Sequence, residues 1–363
     1  MKHRKAHALL AIAPLATLVL SVGLATLAPR VAFAQASVAQ IVTKNDLSEA
    51  DKGVIRDLIE RQRPLLSGTA AEVRRAREAL VAPLEERGVS VPFRVEMSRQ
   101  LFETLKTLSA DGRDVVAVNA LRVAGELATT NSLRVVSDGL KDKRPAVRHG
   151  ALFAMGRLFM QAARTSPAVS QGDMRSAIAE LERIASGESD PLMIDGAISA
   201  LVAAARAPEG SAAMARMGEA VGVRLRAGAK SPSGAEGAGS LGVGVRGVRE
   251  LRDAMIGGGG RVAPETVQAA AKLSGQLLVL VREHAKAGVG EPDALAQAAQ
   301  LAHTTLTLAS TSLNGPEIEK LRLALADKAK DPAAFAREVD KLVGPDGVLT
   351  KAPFTAKADD FKP

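Results

Sequence analysis

The chain has 363 residues, 47% of them apolar, with no Cys, Trp or Tyr and eight Phe. Its apolar content is enough to build cores, and the prevalence of Ala, Leu and Val favours closely approaching helices over an aromatic-rich β-sandwich. The missing cysteine excludes disulfides, thiolate metal sites, thiol catalysis and a lipid anchor on Cys. The missing Tyr and Trp disfavour single-stranded nucleic acid and sugars, which usually stack on such rings.

The formal charge is +8, and four of those charges are Lys2, Arg4, Lys5 and Arg30 in the first 34 residues, which hold no acid. The remainder is too mildly basic for a nucleic-acid footprint, so no nucleic-acid partner is expected. Lys2, Arg4 and Lys5 precede an apolar run over 8–28, and Ala32-Phe33-Ala34 places small residues at cleavage-determining positions. This pattern predicts a secretory signal peptide over 1–34, cleavage before Gln35 and a periplasmic or extracellular product. Ala36 offers an alternative cleavage site. An uncleaved anchor is the other reading, and it would be the protein's only membrane contact.

After a short linker at 35–44, helix punctuation recurs. Ser48 to Asp51 and Thr69 to Glu72 read as capping boxes, and Pro145, Pro191, Pro208, Pro264, Pro292, Pro316 and Pro332 stand where only a first helical turn tolerates them. Asp190 and Asp331 add an N-cap before such a Pro. The pattern predicts helices near 46–63, 70–87, 93–108, 112–128, 131–140, 145–163, 173–186, 190–206 and 209–226, all within a repeat domain over 45–227. Eleven Gly fall within residues 228–260 around a short helix at 245–256, which predicts a flexible linker over 228–262, open to proteolysis. A C-terminal helical domain over 263–343 follows, with helices at 264–287, 291–311, 316–329 and 332–343. Residues 344–363 read as a disordered tail.

Asp114 to Leu127 aligns without a gap on Pro145 to Leu158: Ala120 meets Ala151, Leu121 meets Leu152 and Gly125 meets Gly156. A third copy, Pro191 to Leu201, places Gly196 and Ala197 on Gly150 and Ala151. Asp142-Lys-Arg-Pro-Ala-Val-Arg-His-Gly-Ala-Leu-Phe-Ala-Met-Gly-Arg-Leu158 resembles the second helix of a HEAT or HEAT-like repeat, with its loop Asp, helix-opening Val-Arg and buried Ala-Leu pair. The resemblance covers about residues 93–206 and implies an α-solenoid that binds other proteins along its helical surface, with the second helices lining the concave side. The fold expected is therefore all-α: a short α-solenoid of HEAT-like helix pairs, a Gly-rich linker and a smaller helical domain.

The alignment makes Arg122, Phe153 and Ser199 equivalent, as well as Glu126, Arg157 and Ala203, and Val118, His149 and Asp195. Spacings of four and eight residues put these on one side of each second helix, so Arg122, Glu126, His149, Arg157 and Asp195 are the candidate partner-binding residues. The same residues also fit a solvated amphipathic face, and Phe153 fits a core position.

Motifs for chemistry are weak. Two GxGxxG matches, Gly237 to Gly242 and Gly242 to Gly247, lack a preceding strand. Glu283-His284 lacks a second His four residues from the first, and the His residues read as partly exposed on helix surfaces. No GxSxG elbow is present, and Glu85-Glu86 and Asp359-Asp360 fall where carboxylates are solvated. The reading is a non-catalytic exported scaffold that binds a partner protein, without cofactor or metal. The alternative is an enzyme or small-molecule binder with a pocket between the two helical halves.

Overall fold

In the computed structural model, residues 38–164, 168–207, 210, 212–258, 262–318 and 332–363 are described. The signal segment, the expected cleavage site, Pro208 and most of the helix expected at 316–329 lie outside them. The described residues include these α-helices: α1 (Glu49–Gln62), α2 (Ala70–Glu85), α3 (Val91–Ser109), α4 (Asp114–Leu127), α5 (Thr130–Gly139), α6 (Pro145–Arg164), α7 (Gln171–Gly187), α8 (Pro191–Ala204), α9 (Ala213–Lys230), α10 (Ala235–Gly257), α11 (Pro264–Ala287), α12 (Pro292–Ser312) and α13 (Pro332–Val343). Three 3-10 turns add to these, at Arg63–Ser67, Val348–Thr350 and Ala358–Phe361. No strand is present among the described residues; Thr129 and Ala168 form an isolated bridge. None of these helices is long and apolar enough to cross a membrane.

Local chemistry starts the helices where the sequence says it should. Both capping boxes form: the Ser48 hydroxyl accepts from the Asp51 N–H, and the Thr69 hydroxyl accepts from the Glu72 N–H while the Glu72 carboxylate takes the Thr69 N–H at 2.8 Å. Asp190 Oδ1 accepts from the Leu192 N–H at 2.9 Å, and Pro191 occupies the first turn of α8, where no N–H is needed. At the other end of a helix, Gly288 closes α11 in the left-handed region at φ +66°, which glycine adopts without a Cβ penalty.

The helices stack in two layers. One holds α2, α4, α6, α8, α10 and α12, each packed on the next; α3, α5, α7, α9, α11 and α13 form the other. A helix exposes one apolar stripe to its own pair and another to the next pair, so no pair is complete alone and the core runs the length of the array. The close approach of α4 to α6 depends on Gly125, where a Cβ would fall 2.6 Å from the Ala154 carbonyl oxygen.

Three expectations are corrected. The Gly-rich stretch is not a linker: residues 235–257 form one continuous helix, α10, packed against α9 and α11. Gly244 and Gly247 explain why, since a Cβ at either would press on Leu225 and Leu277, or on Val221 and Leu273, and glycine there lets three helices close up. The tail is ordered too. Leu349, Phe354 and Phe361 are buried, and Leu349 and Phe361 lie on the α11 backbone at Gly275. Residues 38–44 of the supposed N-terminal linker also join the core, through Val38, Ile41 and Val42, with Ser90 N–H donating to the Val42 carbonyl at 2.8 Å.

Candidate interaction face

The loops that enter α4 and α6 share one device. Asp111 Oδ1 accepts from the Arg113 N–H at 2.8 Å and Nε at 3.1 Å, while Arg113 Nη1 donates to the Gly68 carbonyl at 3.2 Å in the preceding loop. Thirty-one residues later Asp142 Oδ1 accepts from the Arg144 N–H at 2.8 Å and Nε at 2.9 Å, and Arg144 Nη1 donates to the Asp111 carbonyl at 2.6 Å. Each Arg is thus clamped by its own loop's Asp and stitched to the loop before. The Arg144 hydrogen bonds hold the Asp142 carboxyl down at about 2, and Arg113 lowers Asp111 in the same way. An Asp-x-Arg pair recurring at the spacing of the helix repeat was a legible signal that the sequence reading passed over. Arg148 pairs with Glu188, whose carbonyl also accepts from Arg224 Nη1 at 2.6 Å, so the stitching continues to α9. Of the four basic residues within 141–148, Arg144 and Arg148 are engaged, while Lys141 and Lys143 are exposed.

Beyond these loops lies the face formed by α4, α6 and α8. Here equivalent positions of neighbouring helices meet. Glu126 is not on a solvated ridge: it is 7% exposed, and its carboxylate accepts from Arg157 Nε at 2.5 Å and Gln161 Nε2 at 2.6 Å. The helices had to bring these groups together, because a buried carboxylate without donors is costly to desolvate. In return Glu126 raises the pKa of Arg157 further above its ordinary value. Arg122 sits over Phe153, its Cζ 5.4 Å from the ring centroid, and both are exposed, so Phe153 is not a core residue. His149 is exposed on α6. Asp195 is exposed on α8 and pairs with Arg246 of α10, whose Nη2 also donates to Ser199 Oγ at 2.8 Å. Glu126, Arg157 and Asp195 are thus engaged within the protein, while Arg122 and His149 are exposed. Val115 and Leu192, at equivalent positions near the starts of α4 and α8, are exposed apolar side chains on this same face, and the sequence reading did not single them out.

Elsewhere, both GxGxxG matches lie largely within α10, where backbone N–H groups serve the helix and do not converge on an anion. His303 is half-buried, but His284 departs from the expected helix-surface imidazole: it is buried on α11. Among the described residues no group of three or more His, Asp and Glu could hold a metal ion.

No protein-family model matches the chain, and no curated protein matches it. Solved structures similar to it include an engineered protein (16% identity, 76% of this chain and 96% of that one, TM-score 0.34). Human deoxyhypusine hydroxylase in complex with glycerol is another (14% identity, 77% and 98%, TM-score 0.26). A second engineered protein matches at 16% identity, 89% and 97%, with a TM-score of 0.20. At such TM-scores these likenesses carry no argument about function.

Proposed function

We propose that this chain is an exported α-solenoid of HEAT-like helix pairs that holds a partner protein on its helical surface and performs no chemistry of its own. The observation that supports this most is the α4, α6, α8 face, where Phe153 and Leu192 are 53% and 64% exposed on successive helices of a stacked array. Large apolar side chains left in water on neighbouring helices are what supports reading this surface as one that a partner covers. Export rests on the Lys2, Arg4, Lys5 segment, the apolar run and the Ala32-x-Ala34 site.

The test is a photoreactive side chain placed at Leu192 on one layer, or at Val223 on the other, followed by irradiation in the native compartment. A discrete adduct with one protein at Leu192 is expected, together with an N-terminus at Gln35 in the recovered chain. Absence of any adduct from either layer in a folded, exported chain would overturn the scaffold reading. An intact Met1 would overturn cleavage.

A further inference from the structure

On the α4, α6, α8 face most of the charges are settled within the protein. Glu126 is satisfied by Arg157 and Gln161, Asp195 by Arg246 and Glu188 by Arg148. Arg122 has no acidic partner among the described residues and rests on the Phe153 ring. A ring offers the guanidinium no conventional acceptor, so the five N–H donors of Arg122 stay available to a ligand. The ring also restricts the rotamers of a long side chain, so less freedom is lost when a ligand arrives. A carboxylate can then accept two parallel hydrogen bonds from Arg122. Beside this cation Phe153, at 53% exposure, offers apolar contact and no further donor, and Val115, at 40%, lies two turns back along the same side of α4.

Resting on the scaffold reading above, we propose that Arg122 and Phe153 form the centre of a docking site for an acidic, apolar-anchored protein segment, with a Glu or Asp close to Leu, Ile, Val or Phe. A phosphorylated or nucleic-acid ligand fits less well, because a phosphate's greater charge calls for more than one unengaged cation, and Arg157, one turn from Phe153 on α6, already holds a carboxylate.

The full chain can be panned against a random twelve-residue peptide library displayed on phage, and the most enriched sequence synthesised with a fluorescein label. Enriched peptides are expected to carry Asp or Glu within one helical turn of an apolar residue. Changing that acid to its amide should weaken binding about five- to tenfold, as should Arg122→Gln. The two changes together should cost little more than either alone, and Phe153→Ala should weaken binding in its own right. Both side chains are exposed, so the variants should melt close to the parent. The proposal is overturned by no enrichment, by enrichment of basic peptides, by indifference to Arg122→Gln, or by fully additive losses. If those results come with a native adduct at Val223, the scaffold reading stands and this site falls. Peptide binding through Arg122 with no native adduct on either layer would remove the scaffold reading and leave the acidic-segment chemistry of the site.

Discussion

His284 is 2% exposed on α11, and neither ring nitrogen has a hydrogen-bond partner among the described residues. Burial lowers its pKa below the ordinary 6.5, because charging the ring there would forfeit hydration that nothing replaces. The sign follows from linkage. The unfolded chain takes up a proton near pH 6.5 and the native chain only at lower pH, so the contribution of this group to stability is complete above 6.5 and is lost as pH falls from there through the lowered native value. Replacing His284 with Leu removes an unsatisfied buried polar group at similar volume. Urea unfolding of His284→Leu should show a gain of about 1–2 kcal/mol at pH 5 and a weaker dependence on pH below 6.5. The candidate face teaches a related lesson about single residues. Aligning the copies placed Glu126 with Arg157 and Arg122 with Phe153, and in a stacked array equivalent positions on successive helices lie within side-chain reach of each other. The alignment therefore identified contacts between repeats as much as a surface.

Among the elements, α10 departs furthest from its sequence. Its glycines predict a linker because each lowers helix propensity by about 1 kcal/mol relative to Ala. Four of them show two different situations. A Cβ at Gly244 or Gly247 would meet side chains of α9 and α11, whereas one at Gly239 or Gly242 would meet nothing within 4 Å. Gly242→Ala should thus stabilise the protein by about 0.5–1 kcal/mol, since it adds helix propensity without a clash. Gly125→Ala on α4 should destabilise it by about 1–3 kcal/mol, because the new Cβ would lie 2.6 Å from the Ala154 carbonyl oxygen and 3.0 Å from its Cα, and backbone cannot step aside as a side chain can. Chemical denaturation of the two variants should give opposite signs.

For the whole molecule, the consequence is continuity. α9 packs on α7 and α11, and α10 on α8 and α12, so the array passes through the glycine-rich stretch without a break. The C-terminal segment then lies across α11: Gln276 Nε2 donates to the Asp360 carbonyl at 2.9 Å, and Lys272 pairs with Asp360 at 3.0 Å. Arrays of this kind unfold together when neighbouring interfaces are strong. Brief proteolysis of the native chain should leave 235–257 uncut, and calorimetry should give a single transition. Two well-separated transitions, or early cleavage within α10, would show that the C-terminal helices fold as a unit of their own.

The sequence by itself determined what depends on near neighbours in the chain. Ser48, Thr69 and Asp190 start helices because a hydroxyl or carboxylate two or three residues away can take an orphan N–H, and Pro191, Pro264 and Pro292 sit where none is needed. Apolar spacing then sets which side of each helix turns inward, as Leu121 and Leu152 show by their burial. Tertiary structure alone decided the rest. Whether glycine is a hinge or a contact, whether Glu126 faces water or Arg157, and whether Phe361 trails free or seals α11 all depend on residues tens of positions away. Those energies arise only once the helices have stacked, and no local preference encodes them.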